Sequence, residues 1–148
     1  MPLGSGEHAS PSVSDEILAH RVLDYKMCCS LGIAIRGELH EQPVSDLAQA
    51  IIQVVEIEGP IHINEVARRI RSLWGLGRTG RRIREALDRA TRTAQTQGQI
   101  RQRGDFLWPA EDRAILVRYR QGDMLAKIDL ICDEEIAEAV QLTFKESS

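Results

Sequence analysis

The sequence predicts an α+β fold, and three observations in its central part carry that prediction. From Asn64 to Gly98, two stretches place apolar residues three or four positions apart, which is the spacing of one helix face. The glycine-rich segment GLGRTG separates the two stretches and predicts a turn. The segment IRQRGDFLW that follows has the pattern of a tight β-hairpin, because Gly104-Asp105 favours a two-residue turn.

The residues before this central part carry weaker patterns. Residues 1–11 are rich in Gly, Ser and Pro, so they are predicted to be a disordered, tag-like start. Residues 12–148 are expected to form one domain, because the chain is too short for two domains with separate cores. Within this domain, Ser12 to Tyr25 is predicted to form a short helix and Met27 to Ile35 an extended segment.

The first helix of the central fold is predicted to begin at a Ser45 cap and to end at Glu58-Gly59-Pro60, because proline cannot continue the helical hydrogen bonds. Ile61 to Ile63 is predicted to form a short strand. Asn64 is expected to cap the next helix, which Gly75 ends. The apolar stripe of that helix consists of Val66, Ala67, Ile70, Leu73 and Trp74.

The helix after the glycine-rich turn has the clearest pattern, and Gly98 ends it. Its apolar seam consists of Ile83, Leu87, Ala90 and Ala94. Its opposite face carries Arg78, Arg81, Glu85, Asp88 and Arg92, with Arg82 and Arg89 toward one flank and Arg84 toward the other. We therefore expect the seam to pack against the core and the charged face to meet solvent.

The hairpin completes the order of elements. If Arg103 pairs with Phe106, Arg101 lies opposite Trp108, and both arginines can lie over aromatic rings. The order of helix, strand, helix, helix and two hairpin strands over about residues 45–108 predicts a winged helix-turn-helix. Such a fold has a three-helix core, a small antiparallel sheet and a hairpin wing.

A C-terminal extension over residues 109–146 is expected to add a strand and a helix. Ala114 to Arg120 supplies the strand, and Gln121-Gly122-Asp123 a turn. Asp133 is predicted to cap the helix, with acidic residues at its positive end. The apolar stripe of this helix is predicted to consist of Ile136, Ala139, Val140 and Phe144.

The composition is that of a soluble globular protein, with 43% hydrophobic and 28% charged residues. No apolar run approaches the roughly 18 residues that span a bilayer, and no signal peptide opens the chain, so we expect a cytoplasmic protein without membrane contact. Cys28, Cys29 and Cys132 lack the spacing of a metal site and are expected to be reduced, buried thiols.

The charges are segregated along the chain. From Ile61 to Arg120 there are 14 Lys or Arg and 6 Asp or Glu residues, whereas the remainder carries 5 and 16. A basic middle between acidic ends indicates a nucleic-acid partner. It is equally the pattern of a chain whose own parts attract each other.

Motifs for catalysis and for metal binding are absent from the sequence. There is no HExxH, CxxC or GxSxG and no phosphate loop of the GxxxxGK[ST] type. His62, next to a helix start, is interpreted as structural, and Trp74 and Trp108 as core residues. The chain by itself is therefore predicted not to be an enzyme and to bind neither a metal nor a cofactor.

The run VVEIEGPIHINEVARRIRSLWGLGRTGRRI, with GDFLW and VRYR downstream, resembles a bacterial domain family of unknown function. The residues that carry the resemblance are Glu58-Gly59-Pro60, Arg68-Arg69, Trp74-Gly75, Arg78, Gly80, Arg82-Ile83 and Phe106-Leu107-Trp108. It covers about Leu39 to Phe144. Members typically form the C-terminal part of very large proteins with a superfamily 1 helicase core and an endonuclease-like domain. The resemblance implies that this chain is part of a larger helicase-like protein and helps it hold DNA, and it offers no catalytic residues.

The functional prediction is phosphate-dominated binding of nucleic acid, in particular DNA. The candidate residues are Arg78, Arg81, Arg82, Arg89, Arg101 and Arg103, because the planar guanidinium group suits phosphate oxygens. Glu85 and Asp88 predict shallow docking with weak sequence specificity. The alternatives are a winged helix that docks on another protein or dimerises without touching nucleic acid, and a purely structural lid on a larger enzyme. Homo-oligomerisation is left open.

Overall fold

The computed structural model describes residues 22–33, 37–76, 80–114, 116–120 and 128–147. Its helices are α1 (Val44–Glu58), α2 (Ile63–Leu73), α3 (Arg81–Thr96) and α4 (Asp133–Ser147). Its strands are β1 (Val22–Asp24), β2 (Ile61–His62), β3 (Ile100–Arg103), β4 (Phe106–Pro109) and β5 (Val117–Tyr119). Short 3-10 turns lie at Leu39–Glu41 and Ile128–Leu130. The predicted α+β class is confirmed.

The core lies around α1, which packs mainly against α3. The inner face of α3 is lined by small side chains at helical spacing, Ala86, Ala90 and Ala94, and these are buried. Small side chains let two helix backbones approach closely, and the buried Ile51 and Val54 of α1 belong to the same hydrophobic cluster. The predicted seam of α3 is confirmed, with Leu87 buried and Ile83 half-buried against the core.

The three-stranded sheet is antiparallel, in the order β2-β4-β3. Arg103 pairs with Phe106 and Arg101 with Trp108, as predicted from the hairpin turn. Gly104 in that turn has φ 58°, a conformation that glycine adopts at little steric cost. β2 joins the outer side of β4 through Ile61, which pairs with Leu107. The hairpin is thereby held to the start of α2.

A second sheet consists of β1 and β5, which pair in parallel with Val22 opposite Val117. The predicted helix from Ser12 to Tyr25 is wrong at Val22–Asp24, and its first part lies outside the described residues. The predicted strand in Ala114 to Arg120 is present but shorter. Parallel pairing joins residues that are far apart in the sequence, so local sequence patterns do not predict it.

The segment predicted as extended, Met27 to Ile35, belongs to neither sheet over its described residues, which end at Ile33. Cys28 and Leu31 in it are buried in the hydrophobic core. The prediction of three buried thiols is correct for Cys28 and Cys132 and wrong for Cys29, which is exposed. Burial raises the pKa of the Cys28 and Cys132 thiols, so these two are poor nucleophiles.

Two predicted helix starts are wrong. α1 begins at Val44, one residue before Ser45, and Pro43 occupies the cap position without a side-chain hydrogen bond. α2 is capped by His62 and not by Asn64, because the Asn64 backbone N–H donates to His62 Nδ1 at 3.0 Å. An unprotonated imidazole nitrogen can accept this hydrogen bond as a carboxylate or hydroxyl oxygen would. The capping preferences of amino acids favour Asn over His, so they do not predict this cap.

α4 is rotated from the predicted orientation. Its predicted apolar stripe leaves Val140 and Phe144 exposed, at 48% and 70%. The inward positions are Glu135 and Leu142, which are buried. The reason is the ion pairing of Glu135 with two arginines described below, which sets the face that α4 turns to the rest of the molecule.

The end of α1 has no room for a side chain. A Cβ atom at Gly59 would clash with the Val55 backbone oxygen and would lie 2.9 Å from Pro109 Cδ. We expect Gly59→Ala to lower the free energy of unfolding by about 1–3 kcal/mol in urea titrations, because the clash involves backbone and a rigid ring. Gly80→Ala is the control, since no atom lies within 4 Å of a Cβ there. Equal destabilisation of both variants would contradict the steric explanation.

Candidate nucleic-acid interface

The solvent-facing side of α3 carries a dense set of charges, because its opposite side packs against α1. The exposed charged residues of this helix are Arg81, Arg82, Arg84, Glu85, Asp88, Arg89 and Arg92. Five of these seven are arginine. The sequence prediction that the charged face meets solvent is confirmed for the described residues.

The arginines of α3 differ in whether they have an acidic partner. Arg81 Nε donates to Glu85 Oε1 at 3.0 Å, although the Arg81 side chain is 91% exposed. Within the described part of the chain, no ion pair is formed by four of the others: Arg82, Arg84, Arg89 and Arg92. These four guanidinium groups can therefore take an external anion without breaking an ion pair to any of the described residues.

Arg84 and Arg92 are not among the predicted site residues, yet they are exposed like the predicted site residues of α3. The helical wheel of α3 already places Arg92 opposite the apolar seam and Arg84 on one flank. These positions on the helical wheel are sufficient to predict both residues as part of the candidate interface. Arg78, a predicted site residue, lies outside the described residues.

The hairpin arginines lie on the opposite face of the sheet from α3. Gln102 accepts a hydrogen bond from Gln95 of α3 at 2.6 Å, so the Gln102 side of β3 faces that helix. Successive residues of a strand point to opposite faces, and Arg101 and Arg103 consequently point away from α3. The structure does not bring them onto the charged face of α3.

Arg101 and Arg103 already have partners from the residues that follow the hairpin. Arg101 Nη2 lies 2.9 Å from Asp112 Oδ1, and its Nε donates to the Pro109 carbonyl at 3.3 Å. Arg103 Nη1 lies 3.5 Å from Glu134 Oε2. The Arg103 guanidinium also stacks 4.8 Å from the ring centre of Trp108, so the predicted arginine–aromatic contact exists for this residue.

A hollow of about 210 Å³ separates α3 from α2 and the hairpin. Its polar lining includes Asp88, Arg92, Gln95 and Gln102, while Val66 and Leu107 contribute apolar surface. Guanidinium and amide groups can donate to phosphate or sugar oxygens. The Asp88 carboxylate would repel a phosphate inside the hollow. We therefore expect a phosphate to bind at the rim of the hollow and not within it.

Glu58 at the end of α1 is fully buried and is the centre of a hydrogen-bond network that the sequence analysis did not find. Arg69 binds its carboxylate with both Nε, at 2.7 Å, and Nη2, at 2.9 Å. The Tyr25 hydroxyl donates at 2.6 Å and the Cys28 backbone N–H at 2.9 Å. Burial, and then the Glu58 charge, raises the pKa of Tyr25 far above its ordinary range, so this phenol acts as a donor.

A second buried carboxylate, Glu135 of α4, is held by Arg118 and Arg120. Arg118 Nη2 and Arg120 Nη1 each donate to it at 2.8 Å, and the Arg118 backbone N–H donates at 3.0 Å. Burial opposes ionisation of Glu135, but the hydrogen bonds and charges of the two arginines outweigh it, so the pKa of Glu135 lies below its ordinary value.

Arg118 joins the two carboxylate sites. It donates to the Glu58 carbonyl and, at 2.8 Å, to the Pro60 carbonyl. The guanidinium groups of Arg118 and Arg120 both lie within 5 Å of the Tyr25 ring centre, at 4.9 Å and 4.8 Å. The network therefore fastens β1, β5 and α4 onto the end of α1. Because internal donors already occupy the carboxylate oxygens of Glu58 and Glu135, we interpret this network as one that stabilises the fold.

An apolar cavity of about 540 Å³ lies beside this network, at the end of α1. Leu23, Ile57, Pro60 and Trp108 are among the residues that line it. Trp108 is 5% exposed, and its buried indole N–H has no hydrogen-bond partner among the residues that the structure describes. The volume is within the range of small-molecule pockets.

Two further properties concern only the part of the chain that the structure describes. No three or more His, Cys, Asp or Glu side chains there are grouped so that they could hold a metal ion. None of the helices there combines the length and apolar character needed to cross a membrane. The expectation that the chain binds no metal or cofactor and is not an enzyme stays a prediction.

Comparison with known protein families gives a match in the central part of the chain. Residues 37–85 match the model of a family described as Protein of unknown function (DUF3320). This range contains α1, β2, α2 and the start of α3, and it ends before the hairpin. The predicted resemblance to a family of unknown function is confirmed over these residues, a shorter range than expected. No curated protein and no solved structure matches the chain.

Proposed function

We propose that the chain is a non-catalytic winged helix-turn-helix module that holds nucleic acid, in particular DNA, through its phosphate backbone. The order α1-β2-α2-α3-β3-β4 supports this proposal, as does the pairing of the short strand β2 with the second hairpin strand. In such modules the second helix of the helix-turn-helix meets the nucleic acid. In this chain that helix is α3.

The observation that carries the proposal is the set of four exposed arginines on α3 that form no ion pair within the described residues. Arginine is charged at all relevant pH values and binds phosphate oxygens with two parallel hydrogen bonds. Arg82 and Arg89 lie on one flank, seven residues and therefore about 10 Å apart along the helix axis. Phosphates of one strand advance by about 3.4 Å per nucleotide, so both arginines can contact one strand within a few nucleotides.

Glu85 and Asp88 determine how deeply the helix can dock. Both are exposed on the middle of the α3 outer face, between the flanking arginines. A carboxylate that approaches a phosphate is repelled, and in a major groove it meets acceptor-rich base edges. We therefore propose that α3 lies across the backbone and reads little sequence.

The proposed setting is a larger helicase-like protein, of which this module would be an accessory part. The support for this is the resemblance stated above; the matched family itself is described only as of unknown function. A natural reading frame in which helicase motifs precede these residues is the expected finding. A frame without such motifs would remove this part of the proposal and leave the binding activity to be tested on its own.

The test compares the wild type with Arg82→Gln/Arg89→Gln in binding to a short duplex DNA of mixed sequence. Fluorescence anisotropy measures the Kd of each protein at a series of salt concentrations. For the wild type, log Kd should depend linearly on log salt concentration. The variant should bind about tenfold or more weakly at low salt. Its salt slope should fall by about two units, one for each phosphate that the variant can no longer bind.

The control variant is Lys26→Gln/Arg113→Gln, which removes the same charge beside the apolar cavity at the end of α1. It should keep the wild-type salt slope, because neither of these side chains is proposed to bind a phosphate. Equal slopes for all three proteins would refute the assignment to α3. A wild type that does not bind the duplex at low salt would refute the function.

A second candidate function is docking on another protein. It is favoured by the mixture of arginines with Glu85 and Asp88 on the α3 face, since complementary charges of both signs define a register between two proteins. Absence of duplex binding would make this the leading function.

A further inference from the structure

The hairpin arginines have internal partners whose chemistry resembles that of a nucleic-acid backbone. Arg101 is paired with Asp112 and Arg103 with Glu134, and both carboxylates come from the chain that follows the hairpin. Carboxylate and phosphate oxygens bind guanidinium groups in the same planar geometry. Within the proposed function, these two carboxylates occupy the places that phosphates would take.

On the basis of the proposed function, we propose that the C-terminal part of this chain is an autoinhibitory latch on the hairpin. In the closed state, Asp112 and Glu134 neutralise Arg101 and Arg103, so that of the candidate site residues in the described part of the chain, those on α3 are available to an anion. A phosphate backbone that reaches the hairpin displaces the two carboxylates and binds both arginines in their place.

The exposure of the pairs makes this exchange feasible. The Asp112 side chain is 91% exposed and that of Glu134 41%, while Arg101 and Arg103 are 37% and 55% exposed. Ion pairs in contact with water stabilise a fold by little and are screened by salt. A multivalent phosphate chain can therefore replace them without disturbing the core.

The arginines remain positioned when the carboxylates leave. Arg101 Nε is held by the Pro109 carbonyl, and the Arg103 guanidinium rests on the ring of Trp108. Neither interaction involves a carboxylate. The open state thus presents two ordered guanidinium groups, and binding to them needs less ordering of side chains than binding to free arginines.

The buried network explains why Glu134 lies at the latch. Glu135, the next residue, is fixed by Arg118 and Arg120, so the first turn of α4 is anchored. Glu134 is consequently presented toward Arg103 while its own side chain stays partly in water. Opening requires a change in the Glu134 side-chain torsions and leaves α4 in place.

The latch is tested by Asp112→Asn/Glu134→Gln, in the duplex assay described above. This variant should bind about three- to tenfold more tightly than the wild type at low salt, with a salt slope steeper by up to about two units. The matched control is Glu111→Gln/Asp133→Asn, which changes the same charge at the adjacent, exposed positions. The control should show a smaller gain in affinity and an unchanged slope.

A further variant assigns the gain in affinity to the hairpin. Adding Arg101→Gln/Arg103→Gln to Asp112→Asn/Glu134→Gln should abolish it. If the control binds as tightly as Asp112→Asn/Glu134→Gln, or if the gain persists without the two arginines, net charge is the cause and the latch is refuted.

A measurement without nucleic acid separates failure of the latch from failure of the proposed function. The Nε–Hε NMR signals of Arg101 and Arg103 should shift in Asp112→Asn/Glu134→Gln and stay at their wild-type positions in Glu111→Gln/Asp133→Asn. Unchanged signals in the first variant refute the latch whatever the duplex result. If the signals shift but the protein binds no duplex, the proposed function is refuted. The shift would still show that Asp112 and Glu134 contact Arg101 and Arg103 in solution.

Discussion

Glu58→Gln should lower the free energy of unfolding by about 3–5 kcal/mol, a large part of the stability of a domain of this size. The amide replaces one carboxylate oxygen by an NH₂ group, which then faces N–H or O–H donors. Arg69 is left without its charged partner while its side chain stays largely buried, because only 12% of it is exposed. The measurement is the urea midpoint and slope at neutral pH.

Glu56→Gln is the control for Glu58→Gln. Glu56 lies two residues earlier on α1 and pairs with Arg113, but both side chains are close to half exposed, at 43% and 42%. The removal of such a pair should cost less than about 1 kcal/mol. Similar destabilisation of the two variants would contradict the view that burial makes Glu58 important.

A double variant then separates the broken ion pair from other effects of the substitution. Arg69→Met removes the buried cation that Glu58→Gln leaves unpaired, while methionine fills much of the same volume. The double variant should be less destabilised than the sum of the two single variants, which is the signature of direct coupling. Additive effects would show that the two side chains act independently.

Glu135→Gln should have the second large effect, also about 3–5 kcal/mol near neutral pH, because it leaves Arg118 and Arg120 buried without a counter-charge. Their side chains are only 13% and 10% exposed. The Glu134→Gln variant changes the neighbouring residue, whose ion pair is in contact with water. It should cost less than about 1 kcal/mol.

The effect of Glu135→Gln should depend on pH in a defined direction. The folded protein lowers the pKa of Glu135 below its ordinary value of 4.5, so folding favours the ionised form. The resulting stability is present above the unfolded-state pKa and is lost as the pH falls through the folded-state pKa. The difference between wild type and variant should therefore be constant near neutrality and shrink below about pH 4.

Urea titrations of both proteins at a series of acidic pH values measure this difference. A difference that stays constant down to the acid unfolding of the wild type would show that the Glu135 charge is not what α4 depends on. In that case, the packing of the side chain would be responsible for the destabilisation at neutral pH.

The sequence by itself determined the elements that depend on near neighbours. The Leu87, Ala90 and Ala94 seam of α3 follows from helical periodicity, and the hairpin around Gly104 follows from the turn that glycine permits. The exposure of the α3 arginines follows from the same periodicity, because a helix that buries one face must leave the other in water. The α3 part of the candidate interface was predictable for this reason.

Only the tertiary structure decided which charged residues are partners. Tyr25 meets Glu58 across 33 positions, and Arg118 reaches the Glu58 carbonyl across 60. A charged residue in a sequence pattern is assigned to solvent by default, and nothing local marks Glu58 or Glu135 as buried. The pairing of β1 with β5 and the burial of these two carboxylates are linked, since Tyr25, which follows β1, donates to Glu58, and Arg118 of β5 binds Glu135.

The hairpin arginines show the same division. Their register and their common face could be derived from strand alternation, and both are present. Whether that face was free or covered depended on where the chain goes after Pro109. Asp112 covers part of it from the segment directly after the hairpin, and Glu134 covers part of it because the buried Glu135 network places α4 there. A contact made through a distant segment such as α4 leaves no trace in local sequence patterns.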